Sequence, residues 1–196
     1  MKKLLFSLIA LGFIFTAQAQ TMAEGKKKTF IAIRFNALDF GTAAKVQNGS
    51  IGSVLNAKKW GQLPNTDKAF GLGFIRSYSD QIDIFTNLDL AITKMPGIEV
   101  TAFKGYTDYL YTSIESGFNI KMFKGNQVVN PFLTGGLGVR SFNLIKFGAY
   151  APVGVGLQIN VCKNSKLNLS TIYSTKMSKS FVPSYNYGVS YSFLLN

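Results

Sequence analysis

The stretch SYNYGVSYSFLLN, residues 184–196, places Tyr185, Tyr187, Val189, Tyr191 and Phe193 at every second position. Asn186, Gly188, Ser190 and Ser192 lie between them. A period of two is the signature of a strand, whose side chains leave alternately on opposite faces. One face is bulky and aromatic, and the other is small or polar. A bulky face must turn either into a dry core or toward another apolar medium, and the fold depends on which.

The same alternation recurs upstream. TFIAIRFNALDF (29–40) sets Ile31, Ile33, Phe35 and Ala37 against Ala32, Arg34 and Asn36. AFGLGFIRSY (69–78) sets Phe70, Leu72 and Phe74 against Gly71 and Gly73, and IDIFTNLDLAI (82–92) sets six apolar or β-branched residues against Asp83, Phe85, Asn87, Asp89 and Ala91. YLYTSIESGFNIKMF (109–123) and VNPFLTGGLGVR (129–140) continue the pattern, with Glu115, Lys121 and Arg140 on their small-residue faces. APVGVGLQINVC (151–162) and KLNLSTIYS (166–174) precede the final strand. That makes eight strands. Tight turns are expected between strands 2–3, 4–5 and 6–7, and longer connections between 1–2, 3–4, 5–6 (residues 141–148) and 7–8. Short and long connections then alternate, so the long ones emerge at one end.

Two arrangements satisfy this pattern. A soluble sandwich or lipocalin-like barrel would turn the bulky faces inward. A transmembrane barrel would turn them toward lipid, and strands of nine to twelve residues are long enough to cross a bilayer when tilted. Strand length and the alternating connections favour the second, an all-β, eight-stranded antiparallel up-and-down transmembrane β-barrel. The lumen of so narrow a tube is then expected to hold only small residues and a few paired polar ones.

Composition agrees. Charged residues make up 15% of the 196, with 19 Gly, 17 Phe and 9 Tyr, which suits strands better than helices. The net charge of +12 raises nucleic acid or anionic lipid as partners. The lysines are scattered over turns, and no basic-aromatic nucleic-acid motif is present, so nucleic acid is not expected. The opening MKKLLFSLIALGFIFTAQAQ has two lysines, an apolar run from Leu4 to Phe15 and small residues at Ala17 and Ala19, which predicts a secretory leader over 1–19. A polar lead (20–28) and the barrel (29–196) follow. The one cysteine, Cys162, can form no internal disulfide.

The final strand resembles the C-terminal assembly signal of outer-membrane barrels, with Asn186, Gly188, Tyr191 and Phe193 at the matching positions, although Leu194, Leu195 and Asn196 follow the last aromatic. NPFLTGGLGVR (130–140) is similar to a strand of the small eight-stranded outer-membrane barrels, the group of the OmpA transmembrane domain and OmpX. The resemblance covers nearly all of 29–196. It implies outer-membrane location, contact with outer-membrane lipid and lipopolysaccharide, and handling by the barrel assembly machinery.

Chemistry is constrained by the absence of histidine. The lipid-modifying and proteolytic barrel enzymes use histidine for proton transfer or nucleophile activation. With no histidine and one cysteine a zinc site is not expected either, and no cofactor is. Asp89 and Glu115 could form an acid–base pair, but nothing around them has the character of a site. By parity Arg34, Asp83, Asp89, Glu115, Lys121 and Arg140 share the lumen, where charges must pair. A register in which strand 3 and strand 4 numbers sum to about 204 would set Asp83 opposite Lys121 and Asp89 opposite Glu115, with Arg34 bridging the two acids. Such a network would plug the tube, whereas general porins use about sixteen strands.

The first long loop carries Lys58, Lys59 and Trp60. These are candidates for contact with lipopolysaccharide phosphates or a partner protein, or form a solvated loop with one packed Trp. No acid follows Ser116, and the later lysines, Lys166 among them, are expected at turns and the membrane interface. The expected function is a non-enzymatic structural or interaction barrel of the cell envelope, including the case of a subunit in a larger outer-membrane complex such as a secretion assembly. The alternative is a narrow OmpW-like barrel that binds or transports small hydrophobic molecules.

Overall fold

A computed structural model of the chain describes residues 28–43, 66–93, 108–124, 127–178 and 183–195. The expected leader (1–19), most of the lead (20–28) and the loop residues Lys58, Lys59 and Trp60 lie outside the described residues. Eight strands are formed: β1 Thr29–Asp39, β2 Asp67–Ser77, β3 Ile82–Thr93, β4 Tyr109–Lys121, β5 Val129–Phe142, β6 Lys146–Cys162, β7 Ser165–Lys176 and β8 Ser184–Leu195. Each pairs antiparallel with its sequence neighbours, and β1 pairs with β8 from Thr29↔Leu195 to Asp39↔Tyr185, which closes the barrel. Closure leaves no strand edge unpaired, the condition for a sheet to stand in hydrocarbon.

The faces divide as the alternation predicts. Outward residues such as Ile33, Phe35, Leu72, Leu88, Ile114, Leu133, Val155, Val189 and Phe193 are exposed. Their inward neighbours Arg34, Asn87, Asp89, Glu115, Asn130 and Ser192 are buried. A water-soluble barrel of this topology would show the reverse. The continuous apolar exterior therefore gives this closed barrel the surface of a transmembrane barrel.

Three expectations are corrected. First, residues 141–148 are not a long connection. β5 and β6 run on until only Asn143, Leu144 and Ile145 lie between them. Asn143 and Leu144 have φ of 51° and 55°, and Ile145 N donates to Phe142 O at 3.1 Å. Consecutive left-handed residues match the right-handed strand twist in a tight hairpin, and Asn is among the residues that favour such a position. The Asn143 side chain adds a reason, since its Oδ1 accepts from Leu110 N at 2.7 Å and ties the turn to β4.

Second, β3 and β4 pair with numbers summing to 202, so Asp83 lies opposite Asn119, Asn87 opposite Glu115 and Asp89 opposite Ser113. A slip of two residues keeps every side chain on its face, so the hydrophobic pattern cannot distinguish the two registers.

Third, the lumen is not filled by small residues alone. Phe30, Phe85, Tyr111, Phe132, Phe142 and Tyr150 all point inward and are almost fully buried. Phe132 and Tyr150 fit because glycine faces each of them across the sheet. Gly138 pairs with Tyr150 and Gly156 with Phe132. A Cβ on Gly138 would stand 2.5 Å from the Tyr150 ring, and one on Gly156 would overlap the Phe132 ring. Small opposite large is how facing positions interdigitate at interior density.

Along its axis the lumen is layered. At the long-loop end Leu38, Phe40, Tyr111 and Phe142 form an apolar cluster with Ala69 and Ala91. Phe40 belongs to a single helical turn (40–43) that follows β1, where Asp39 Oδ1 accepts from Thr42 N at 2.8 Å. At the turn end Phe30, Ala32, Ile75 and Phe85 form a second cluster, with Leu194 against it. Charged residues occupy the middle.

Candidate functional site: the charged lumen

Four consecutive strands, β1 to β4, build the central ion-pair group. Arg34 on β1 pairs with Gly71 on β2, and Gly71 pairs with Asp89 on β3. Gly71 has no side chain, so the Asp89 carboxylate fills the space a Cβ would take. Arg34 thus reaches across β2: its Nε lies 3.3 Å from Asp89 Oδ1, and its Nη2 donates to Glu115 Oε1 at 3.3 Å. Neutral donors surround the acids. Asn36 Nδ2 donates to Asp89 Oδ1 at 2.9 Å, Asn87 Nδ2 to Glu115 Oε1 at 3.0 Å, and the Tyr150 hydroxyl to Glu115 Oε2 at 3.1 Å.

Arg140 on β5 lies beside this group and shares Tyr150 with it. Its Nη1 donates to Ser184 Oγ at 2.8 Å, and its guanidinium lies 4.3 Å from the Tyr150 ring centre and 5.4 Å from that of Tyr111. A desolvated guanidinium over aromatic faces gains cation–π attraction. Tyr150 therefore joins the two arginines, with its hydroxyl on Glu115 and its ring under Arg140.

A second ionic group lies nearer the turn end. Lys121 Nζ donates to Asp83 Oδ1 at 3.0 Å, and Lys166 Nζ stands 3.8 Å from Asp83 Oδ2 and 4.1 Å from the Phe30 ring centre. Lys121 reaches Asp83 diagonally, because Asn119 is the residue directly opposite. Lys166, expected at the membrane interface, points into the tube instead. It is the second residue of β7, with even-numbered neighbours Asn168 and Ser170, and this parity is the inward one, as the pairing of Ser170 with Gly156 and Gly188 shows.

All six sequence-derived lumen residues are thus inside. Arg34, Asp89 and Glu115 are brought together, Asp83 and Lys121 form a separate pair, and Arg140 contacts tyrosines and a serine. Sequence reading missed Tyr150, Asn36, Asn87, Gly71 and Lys166 as participants. Asn36, Asn87 and Gly71 carried the inward parity already. Tyr150 lies between the expected connection (141–148) and the strand read from Ala151, so it carries no parity in the sequence.

Of the assembly-signal residues, Asn186 and Gly188 face inward, where a Cβ on Gly188 would meet Asn36 Oδ1 at 2.6 Å. Tyr191 and Phe193 face outward with ring centres 4.7 Å apart, and the Tyr191 hydroxyl donates to Ser165 Oγ at 3.0 Å. No group of three or more His, Cys, Asp or Glu able to hold a metal occurs among the described residues.

No protein-family model matches the chain, and no curated protein matches it. Solved structures do. Neisserial surface protein A is 11% identical over 89% of this chain and 100% of its own, with a TM-score of 0.58. Outer membrane protein W of E. coli is 14% identical over 89% of this chain and 100% of its own, with a TM-score of 0.50. At this identity the likeness is one of fold: the chain shares the small eight-stranded barrel of outer-membrane proteins.

Proposed function

We propose that the chain is a non-enzymatic outer-membrane β-barrel whose tube is closed by its own side chains, and that it acts in the cell envelope through its loops and outer wall. The observation that carries this reading is the central layer. Arg34, Asp89, Glu115 and Arg140 are buried in the middle of the lumen, with Tyr150 between them. Every carboxylate oxygen of Glu115, and Oδ1 of Asp89, already has a donor within 3.3 Å. Groups held in this way are committed to one another and are poorly placed to bind substrate or move a proton. The absence of histidine from the sequence points the same way.

The alternative, a conduit for small hydrophobic molecules, needs a continuous apolar path. The two apolar clusters at the ends of the lumen are separated by the ionic layer, which favours the closed barrel. A place in a larger outer-membrane assembly fits a barrel whose function lies on its surfaces. Reconstitution in planar bilayers tests closure: the expected result is no conductance of general-porin size, and a steady open channel of that size would overturn the reading. Purification from detergent-solubilised membranes tests the second part. Fixed co-purifying envelope proteins would support a subunit role, and a lone monomer would support an independent barrel.

A further inference from the structure

Among the described residues, the two ends of the barrel differ in charge. At the long-loop end the described residues include Asp39, Asp67 and Asp108 against Lys68, Lys146 and Lys176, three acids and three bases. At the turn end the described residues of the rim are Lys28, Arg76, Lys124 and Lys163 against Asp80. Lys28, Lys124 and Lys163 are exposed, and Arg76 follows Phe70, Leu72 and Phe74 on the outward face of β2. The backbone holds Lys28 at this level, because Ser77 N donates to Lys28 O at 2.9 Å. Among the described residues Asp83 is the one acid inside this end, and it is already shared by Lys121 and Lys166.

The same rim is apolar between its cations. Tyr78, Met122, Phe123 and Val128 are exposed there. Apolar and aromatic groups interleaved with long cationic side chains are suited to the headgroup level, where the stems remain in the acyl region and the charges reach the phosphates.

We propose that the turn-end rim, through Lys28, Arg76, Lys124 and Lys163, recruits anionic glycerophospholipids in preference to zwitterionic ones. The proposal rests on the reading of the chain as a membrane barrel. A cation near an anionic headgroup surface gains favourable energy that fades within a Debye length, about 10 Å at 0.1 M salt and 3 Å at 1 M. Four cations on one rim therefore act mainly on the lipids touching it.

Cys162 is the one cysteine of the chain, is exposed, and adjoins Lys163 at this rim. It offers a reporter at the site without an engineered residue. The barrel is labelled there with a fluorophore and reconstituted in phosphatidylcholine vesicles containing equal mole fractions of either doxyl-labelled phosphatidylglycerol or doxyl-labelled phosphatidylcholine. The expected quenching by the anionic lipid exceeds that by the zwitterionic one about two- to threefold at 0.1 M salt and becomes equal at 1 M. The pair K28Q/K124Q removes most of the excess, whereas K68Q/K176Q, the same charge change at the other end, leaves it. Equal quenching by both lipids at low salt overturns the proposal, as does an excess that survives K28Q/K124Q or falls equally with K68Q/K176Q. Insertion is scored separately by heat-modifiable gel mobility. Inserted barrel without lipid preference sinks this proposal alone, and failure to insert in any vesicle sinks the membrane-barrel reading together with it.

Discussion

Ile33 and Arg34 are neighbours in sequence and face opposite environments. Ile33 is 38% exposed on the outer wall, while Arg34 is 9% exposed in the lumen beside two acids. The outer wall is a surface on which each residue needs only to be apolar, and its neighbours matter little. The lumen is a packed interior in which each residue needs a particular partner: a glycine beneath a ring, a donor for each carboxylate oxygen, or a cation between two acids. The same alternating strand therefore carries two kinds of constraint. The outer one is local and tolerant of exchange, and the inner one is relational and intolerant of it.

The sharpest way to break this contrast is to remove one member of the ionic layer. Arg34→Ala leaves Asp89 and Glu115 buried without their shared cation, and the expected loss is about 3–5 kcal/mol. Urea unfolding of the barrel folded in vesicles measures it. A loss below 1 kcal/mol would mean that water enters the lumen and solvates the acids. On the outer wall a comparable loss requires a charge: Leu88→Arg is expected to cost about 2–4 kcal/mol if that position lies near the bilayer midplane, in the same unfolding measurement. Leu88→Ile or Leu88→Val should change little, which is the tolerance the outer wall predicts.

A milder lumen change is Tyr150→Phe. It removes the hydroxyl donated to Glu115 and keeps the ring under Arg140. A loss of about 1.5–3 kcal/mol is expected for a hydrogen bond to a charged group. An unchanged midpoint would show that Glu115 is sufficiently held by Arg34 and Asn87. The smallest effect is expected on the outer wall, where Thr86 Oγ1 and Ser116 Oγ lie 2.8 Å apart across β3 and β4. The double change Thr86→Val with Ser116→Ala exchanges a satisfied hydroxyl pair for apolar groups of similar shape. Replacing both partners together is expected to shift stability by less than about 1 kcal/mol, in either direction. A large loss would assign this pair a structural role that the outer wall does not otherwise show.

Much of the fold was legible because parity is a local property. Ile31, Ile33 and Phe35 announce one face whatever the rest of the chain does, and the eight alternating runs gave strand number, order and the lumen positions of Arg34, Asp83, Asp89, Glu115, Lys121 and Arg140. Register was not legible, since sums of 202 and 204 place the same residues inside. The β5–β6 hairpin was misread because Ser141, Phe142 and Asn143 break the simple alternation, and the left-handed pair Asn143–Leu144 has no strong sequence mark at its leucine. Inward aromatics such as Phe132 and Tyr150 were missed for a related reason: a large residue on the small-residue face is intelligible only once the glycine across from it is known.

The sequence by itself determined that the strands have one oily and one small or ionic face, and that the oily faces are too continuous for a surface in water. Each strand's own side-chain order suffices for that, because successive residues must alternate. Only the tertiary structure decided that Arg34 reaches over Gly71 to hold Asp89 and Glu115, that Tyr150 links Glu115 to Arg140, and that Lys166 turns inward to Asp83. Those contacts depend on the relative shift of strands and on closure of β1 against β8, which bring together residues whose separation in the chain gives no sign of their meeting.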